Sequence, residues 1–129
     1  MKTRVLVDSC FCIFGAREFG NPFRLFALHR QNYEFATCGR VMVEVLRGLK
    51  EPKVVEAWRR EFDRLTYLPT KRTTWRLIQK LVWDFERAGR RLDMQDTIIA
   101  ACALEAGAAV LTLDKRFSEI TGLRVISGL

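Results

Sequence analysis

Residues 91–117 read RLDMQDTIIAACALEAGAAVLTLDKRF, and this stretch decides the fold. The spacing predicts a helix that starts near Asp93 and runs through IIAACALEA, apolar on nearly every side and therefore covered on most of its surface. Gly107 stands where a helix C-cap is expected. The run AAVLTL after it reads as a short buried strand. One acid, Asp96, lies in the first turn of the helix, and another, Asp114, lies at the exit of the strand. A helix feeding a buried strand through a tight turn is half of a parallel α/β unit.

Working outward, the same grammar repeats. Arg4–Val7 is a β-branched run without polar alternation, as expected of a central strand covered on both faces, and it stops at Asp8. Ser9 is a candidate cap for the segment after it, and Gly15 interrupts the apolar pattern of Phe11, Ile13 and Phe14. Asn21-Pro22 has the form of a helix start. A second strand is expected over Tyr33–Ala36, with Thr37 as the cap of a helix whose apolar face carries Val41, Met42, Val45, Leu46 and Leu49. Glu44 falls at the border of that face. Pro52 opens another amphipathic helix, Leu65–Leu68 reads as an edge strand before Pro69, and Thr70, Thr73 or Thr74 opens a helix that ends at Gly89. Arg124–Ile126 supplies a last strand. Packing into the core is the expectation for Trp58, Trp75 and Trp83, although such apolar stripes also suit a dimer contact. Strands alternating with helices predict an α/β fold, mostly parallel, over one domain spanning residues 1–129.

Composition narrows the partners. The 129 residues carry 22 Lys and Arg against 15 Asp and Glu, a net charge of +7, which suits a polyanion. With several acids drawn into a site, the remaining surface is more basic still. The chain has one histidine, His29, and the cysteines Cys10, Cys12, Cys38 and Cys102 form no C-x-x-C pair, so zinc has no convincing ligand set. Cys38 and Cys102 fall in helical segments, as buried free thiols do in a reducing cytosol. No run of 18 apolar residues is present, and the start, MKTRVLVDS, has too short an apolar run for a signal peptide; a cytoplasmic location without membrane attachment is expected.

Ligand sites of open parallel sheets lie beyond the carboxyl ends of the strands. Asp8 ends the first strand, Asp114 ends the strand of the opening stretch, Asp96 begins the helix before it, and Glu44 comes after the second strand. All four can converge there. Taken singly each has a plain structural role: Asp93 is the expected N-cap, Asp96 suits a helix N-terminus, and Glu44 suits a solvated face. Together, four carboxylates repel one another unless protonated or bridged by a cation, and hard oxygen donors without imidazole or thiolate suit Mg²⁺ or Mn²⁺. A phosphodiester is the natural substrate of such an ion inside a basic surround. A haloacid-dehalogenase-type phosphatase is excluded, since the position two after Asp8 is Cys10.

The segments VLVDS at Val5–Ser9, VMVEVLRG at Val41–Gly48 and DTIIAACALEAGAAVLTLD at Asp96–Asp114 resemble the PIN-domain ribonucleases, and most closely the VapC-like toxins of type II toxin–antitoxin pairs. The likeness covers essentially the whole chain, in the family's order. It implies a PIN-like three-layer α/β/α fold with a four- to five-stranded sheet, and a Mg²⁺- or Mn²⁺-dependent endoribonuclease that inhibits translation. Carried onto this sequence, the metal and catalytic acids are Asp8, Glu44, Asp96 and Asp114, with Ser9 and Thr112 in support and Asp93 a cap that can also serve in support. Ser9 stands where the family often has Thr, which keeps the hydroxyl. Arg47, Lys115 and Arg116 are the candidate RNA contacts. The resemblance further implies a homodimer and an antitoxin that covers the acidic groove. The alternatives are an RNA-processing nuclease without an antitoxin, or an RNA-binding regulatory protein of weak activity.

Overall fold

The computed structural model describes residues 2–129. Five strands, β1 (Thr3–Val7), β2 (Tyr33–Thr37), β3 (Thr66–Tyr67), β4 (Ala109–Leu111) and β5 (Val125–Ile126), form one sheet in the order β3-β2-β1-β4-β5. Every pairing is parallel; Val5 stands between Phe35 of β2 and Ala109 of β4. The central β1 is buried over Val5, Leu6 and Val7, as its unbroken apolar run requires.

Helices α1 (Ser9–Phe19) and α2 (Pro22–His29) connect β1 to β2. Helices α3 (Gly39–Leu46) and α4 (Pro52–Asp63) connect β2 to β3, and α5 (Arg72–Arg87) and α6 (Met94–Glu105) connect β3 to β4. The first two crossovers step one way along the sheet and the third steps back the other way. Right-handed crossovers therefore place α1–α4 on one face and α5–α6 on the other, giving three layers. The reversal puts the topological switch point between β1 and β4, the place where such sheets bind ligands.

The ends of the elements depart from the sequence reading in small, physical ways. Asp8, not Ser9, caps α1, its carboxylate accepting from the Ser9 N–H. Thr37 completes β2 and is buried, leaving Cys38 as a cap without a side-chain bond. Lys71 precedes α5, and Thr74, three residues in, accepts the Lys71 N–H at 2.9 Å. Asn21 and Asp93 cap α2 and α6 as expected, and Gly107 comes after α6 with φ +64°.

Gly15 does not break α1; the helix continues through it. A Cβ there would sit 3.1 Å from Pro22 Cα and 3.2 Å from Pro22 Cβ, so the missing side chain lets α1 and α2 approach. Gly15→Val is expected to cost about 1–3 kcal/mol through overpacking, read as a lower urea midpoint at unchanged slope; an unaltered midpoint would show that the helix pair yields freely.

Aromatic rings fill the α2–α4 side. Phe23 stands edge-on to Phe26, Trp58 and Phe62, and Phe26 stacks on Phe35 at 4.8 Å between centroids. Trp58 is buried as expected, whereas Trp75 and Trp83 on α5 are 50% and 61% exposed, against the expectation of core packing. A short 3-10 helix, Lys115–Glu119, pinned by buried Phe117, is absent from the sequence reading because five residues give no usable period. No helix among the described residues is long and apolar enough to cross a membrane.

Candidate active site

Asp8 begins just past the last residue of β1, and its N–H still donates to Leu111 O of β4 at 2.9 Å. The sheet thus grips the backbone of the first acid. Its side chain, in a residue only 5% exposed, accepts three bonds: Ser9 N–H to Oδ1 at 2.8 Å, Thr112 Oγ1–H to Oδ2 at 2.7 Å, and the Cys10 thiol to Oδ2 at 3.1 Å. Donors aimed at an ionised carboxylate stabilise its charge. Buried Thr112 reaches further, its hydroxyl oxygen also accepting the Asp114 N–H at 3.0 Å. One hydroxyl therefore couples the acid after β1 to the backbone of the acid after β4.

Asp114 caps the 3-10 helix through Arg116 N–H at 2.9 Å. The Arg116 guanidinium folds back onto both Asp114 oxygens, Nη2 to Oδ2 at 2.8 Å and Nε to Oδ1 at 3.1 Å, and holds the carboxyl below its usual range. The same Nη2 lies 3.5 Å from Asp96 Oδ2. Asp96 is in the first turn of α6, one residue past the span Asp93 caps most tightly: Asp93 Oδ1 accepts the N–H of Gln95 at 2.9 Å and of Asp96 at 3.2 Å. Burial pushes the Asp96 carboxyl up to about 6, and the negative charges of Asp93, Asp114 and Asp8 add to that rise against the opposing pull of Arg116. Asp8, Asp96 and Asp114 thus sense one another at the switch point.

Glu44 is engaged elsewhere. Arg40, one turn earlier on α3, donates Nη1 to Glu44 Oε2 at 2.9 Å, and Arg47 approaches the same oxygen at 3.7 Å. Arg40 holds the Glu44 carboxyl below its usual range, and Arg47 adds to this. A second Arg40 nitrogen, Nη2, bonds Gln95 at the head of α6, tying Glu44 to the helix that carries Asp96. Arg47 is ion-paired and largely exposed, Lys115 is exposed at the start of the 3-10 helix, and Arg116 is drawn in between two acids. Ser9 offers its backbone N–H to Asp8.

Cys10 and Arg40 escaped the sequence reading. Cys10 stands two residues after Asp8 in the first turn of α1, and Arg40 is the i−4 neighbour of Glu44, a spacing that favours an ion pair on any helix. Both could have been found by asking what satisfies the acids.

The donor set fits a hard divalent ion: carboxylate oxygens predominate, and their mutual repulsion is relieved at present by the Arg116 guanidinium. As they stand, no three His, Cys, Asp or Glu groups are gathered closely enough to hold an ion among the described residues, and Arg116 lies between Asp96 and Asp114.

The crowding has a measurable consequence. An acid whose folded-state pKa is raised destabilises the fold once it ionises, so the Asp96 contribution to stability is most favourable below about pH 4 and is lost as the pH rises through about 6. Asp96→Asn is expected to raise stability at pH 7 by about 1–2 kcal/mol after allowance for solvent screening, a gain of a few degrees in Tm that shrinks at pH 4. Melting curves at the two pH values in the presence of chelator check it; a gain equal at both would contradict the charge origin.

A parallel sheet whose switch point brings acids from the ends of β1 and β4 and from the head of α6 near one another presents a carboxylate-lined candidate ligand site. A family model described as the PIN domain matches residues 5–123, and the chain belongs to the PIN domain family. Its fold is that of solved toxin–antitoxin chains. VapBC2 from Rickettsia felis, bound to a DNA fragment from its promoter, aligns with TM-score 0.79 and 18% identity over 96% of this chain and 98% of that one. DNA-bound VapBC from Salmonella typhimurium gives 0.76 and 21% over 96% and 97%. VapBC-1 from nontypeable Haemophilus influenzae gives 0.78 and 18% over 96% and 97%. Comparison with curated proteins gives no match.

Proposed function

We propose that residues 1–129 form a single PIN nuclease domain that hydrolyses RNA phosphodiester bonds with Mg²⁺ or Mn²⁺, as the toxin of a toxin–antitoxin pair. The observation that carries the reading is the Thr112 bridge. It locks Asp8 and Asp114 together beside Asp96, in a chain of the PIN family. Asp8, Asp96 and Asp114 would hold the ion, with Glu44 at the margin as a further ligand or as base for the attacking water. When bound, the ion would acidify a water and offset charge on the phosphate.

The protein's own groups do the rest. Ser9 N–H, Thr112 and Cys10 keep the Asp8 side chain oriented. Arg116, released from Asp114, would swing to a phosphate, a planar fork suited to that partner, and Lys115 beside it would add a second positive charge. Arg40 holds Glu44 against the head of α6 until substrate or ion competes for it.

The toxin reading is supported by the likeness of the fold to the VapBC chains. An antitoxin segment would cover the acidic groove of the active site, next to the largely apolar trough lined by Ile13, Arg17, Glu44, Val45, Leu49 and Trp58. A homodimer and a cytoplasmic setting, with inhibition of translation as the outcome, complete the proposal.

The purified chain incubated with tRNA, rRNA and mRNA tests it. No cleavage is expected in EDTA, with activity restored on adding Mg²⁺ or Mn²⁺. Cleavage that persists in chelator, or none with either ion, would overturn the reading.

A further inference from the structure

Helix α5 turns a stripe of Thr74, Ile78, Leu81 and Phe85 toward α6 and the core. At ~100° per residue, the arc directly opposite that stripe holds Arg72, Arg76, Lys80, Trp83 and Arg87. All five are exposed. Trp75 lies about 80° around the helix from Trp83, on the flank between that arc and the core stripe, and eight residues separate the two, about 12 Å along the axis. Trp83 is 61% exposed and Trp75 50% exposed, and the Arg87 guanidinium lies 4.1 Å from the Trp83 ring centroid. Arg72 and Arg76 carry no ion pair among the described residues, while Lys80 is bound to Asp84 at 2.8 Å.

Between the two tryptophans runs a shallow, largely apolar groove over Ile78, Gln79, Val82 and Glu86 that ends at Met94, itself half exposed, with the cations along its outer margin. Met94 is the first residue of α6, next to Asp93 and two residues before Asp96. The groove is therefore continuous with the head of the helix that carries the catalytic candidate.

We propose that this face of α5 is a second contact surface for single-stranded RNA, stacking bases on Trp83 and Trp75 and engaging phosphates through Arg72 and Arg76. The proposal rests on the RNA reading of the active site and extends it. Aromatic platforms interleaved with cations are what a single strand needs, since every base offers a π-face and every linkage a charge. A duplex keeps its bases stacked inside and offers no such faces. Charge decides against a second copy of the chain as the occupant. A two-fold contact through the cationic arc would set Arg72, Arg76 and Arg87 of one copy against the same row of the other, with only Asp84 and Glu86 to offset them. A strand whose scissile phosphate lies at Asp8, Asp96 and Asp114 can run across Met94 and along this helix.

The test is binding of a short fluorescein-labelled oligouridylate to the full chain in EDTA, followed by anisotropy, with an RNA duplex of equal length alongside. Trp83→Ala and Trp75→Ala are each expected to weaken single-strand binding about tenfold, with Trp83→Phe retaining most of the affinity. Arg76→Ala should lower the slope of log K against log salt by about one. Duplex binding should be little changed by the tryptophan substitutions. Unaltered single-strand affinity in the tryptophan variants would overturn the proposal. So would sedimentation showing that Trp83→Ala turns a dimer into a monomer without loss of RNA affinity, which assigns the face to self-association. Cleavage is scored separately. Loss of binding in the variants of a chain that cuts no RNA would keep this surface and sink the nuclease reading, while normal cutting with unaltered binding would do the reverse.

Discussion

Asp8→Asn is expected to lower divalent-dependent RNA cleavage by more than about 100-fold while leaving the fold in place. A partner outside the metal's direct ligands is worth roughly 10–100-fold, and a buried direct ligand should exceed that. Asparagine is the informative replacement. Its amide oxygen can still accept the Ser9 N–H, and the Thr112 hydroxyl, now facing an NH₂, can turn to accept instead of donate. What disappears is the negative charge. Asp8→Ala would strand three donors in a buried place at roughly 1–3 kcal/mol each, confusing loss of the site with loss of the fold. Cleavage of labelled RNA with Mn²⁺, Mn²⁺ binding by calorimetry and a melting curve should be measured together. Asp8→Asn activity equal to wild type would remove Asp8 from the site; lost activity together with a collapsed Tm would instead assign it a structural role.

Phe117→Ala should give the largest loss of stability. Phe117 is 1% exposed and is among the largest fully buried side chains. It is the only buried residue of the 3-10 helix, the turn that comes after Asp114 and presents Lys115 and Arg116. Truncating a buried phenylalanine costs about 3–5 kcal/mol in lost burial and residual cavity, a large fraction of a typical total of about 5–15 kcal/mol. A fall in Tm on the order of 10–20 °C is expected. The site should suffer as well, because the Asp114 backbone N–H is held by Thr112 while its carboxylate is held by the N–H of Arg116 in this turn. Phe117→Leu, which keeps most of the volume, should restore most of both. A wild-type melting temperature for Phe117→Ala would show that the turn is held by its backbone bonds alone.

Much of the site was legible because its acids stand at element ends. The sequence places Asp8 after an apolar run, Asp93 and Asp96 ahead of an apolar helix, and Asp114 after a short strand. These are punctuation marks that periodicity reveals. The role of Asp93 as cap was readable in the same way, and its bond to Gln95 N–H agrees with it; Thr112 as a hydroxyl in support came from the family resemblance alone, and its hydroxyl lies on Asp8. Arg116 was visible only as a cation soon after Asp114. That it clamps two acids instead of standing in solvent depends on a five-residue turn with no period of its own.

Glu44 shows the limit most clearly. Its place on the border of an apolar helix face is a matter of local spacing, and the structure agrees with it. Its partners are another matter: Arg40 is local, but the Arg40 link to Gln95 joins residues 55 apart in sequence, and no local pattern encodes that meeting. The two tryptophans of α5 make the same point from the outside. Locally, Trp75 and Trp83 are large apolar side chains that belong in a core. Only the docking of α5 on α6, which uses the Ile78 and Phe85 side, leaves them facing water. The sequence by itself determined the elements, the parallel sheet and the acids at their ends, because periods and caps are short-range. The tertiary structure alone decided which charges meet and which side of each helix stays open, because those depend on how the elements pack against one another.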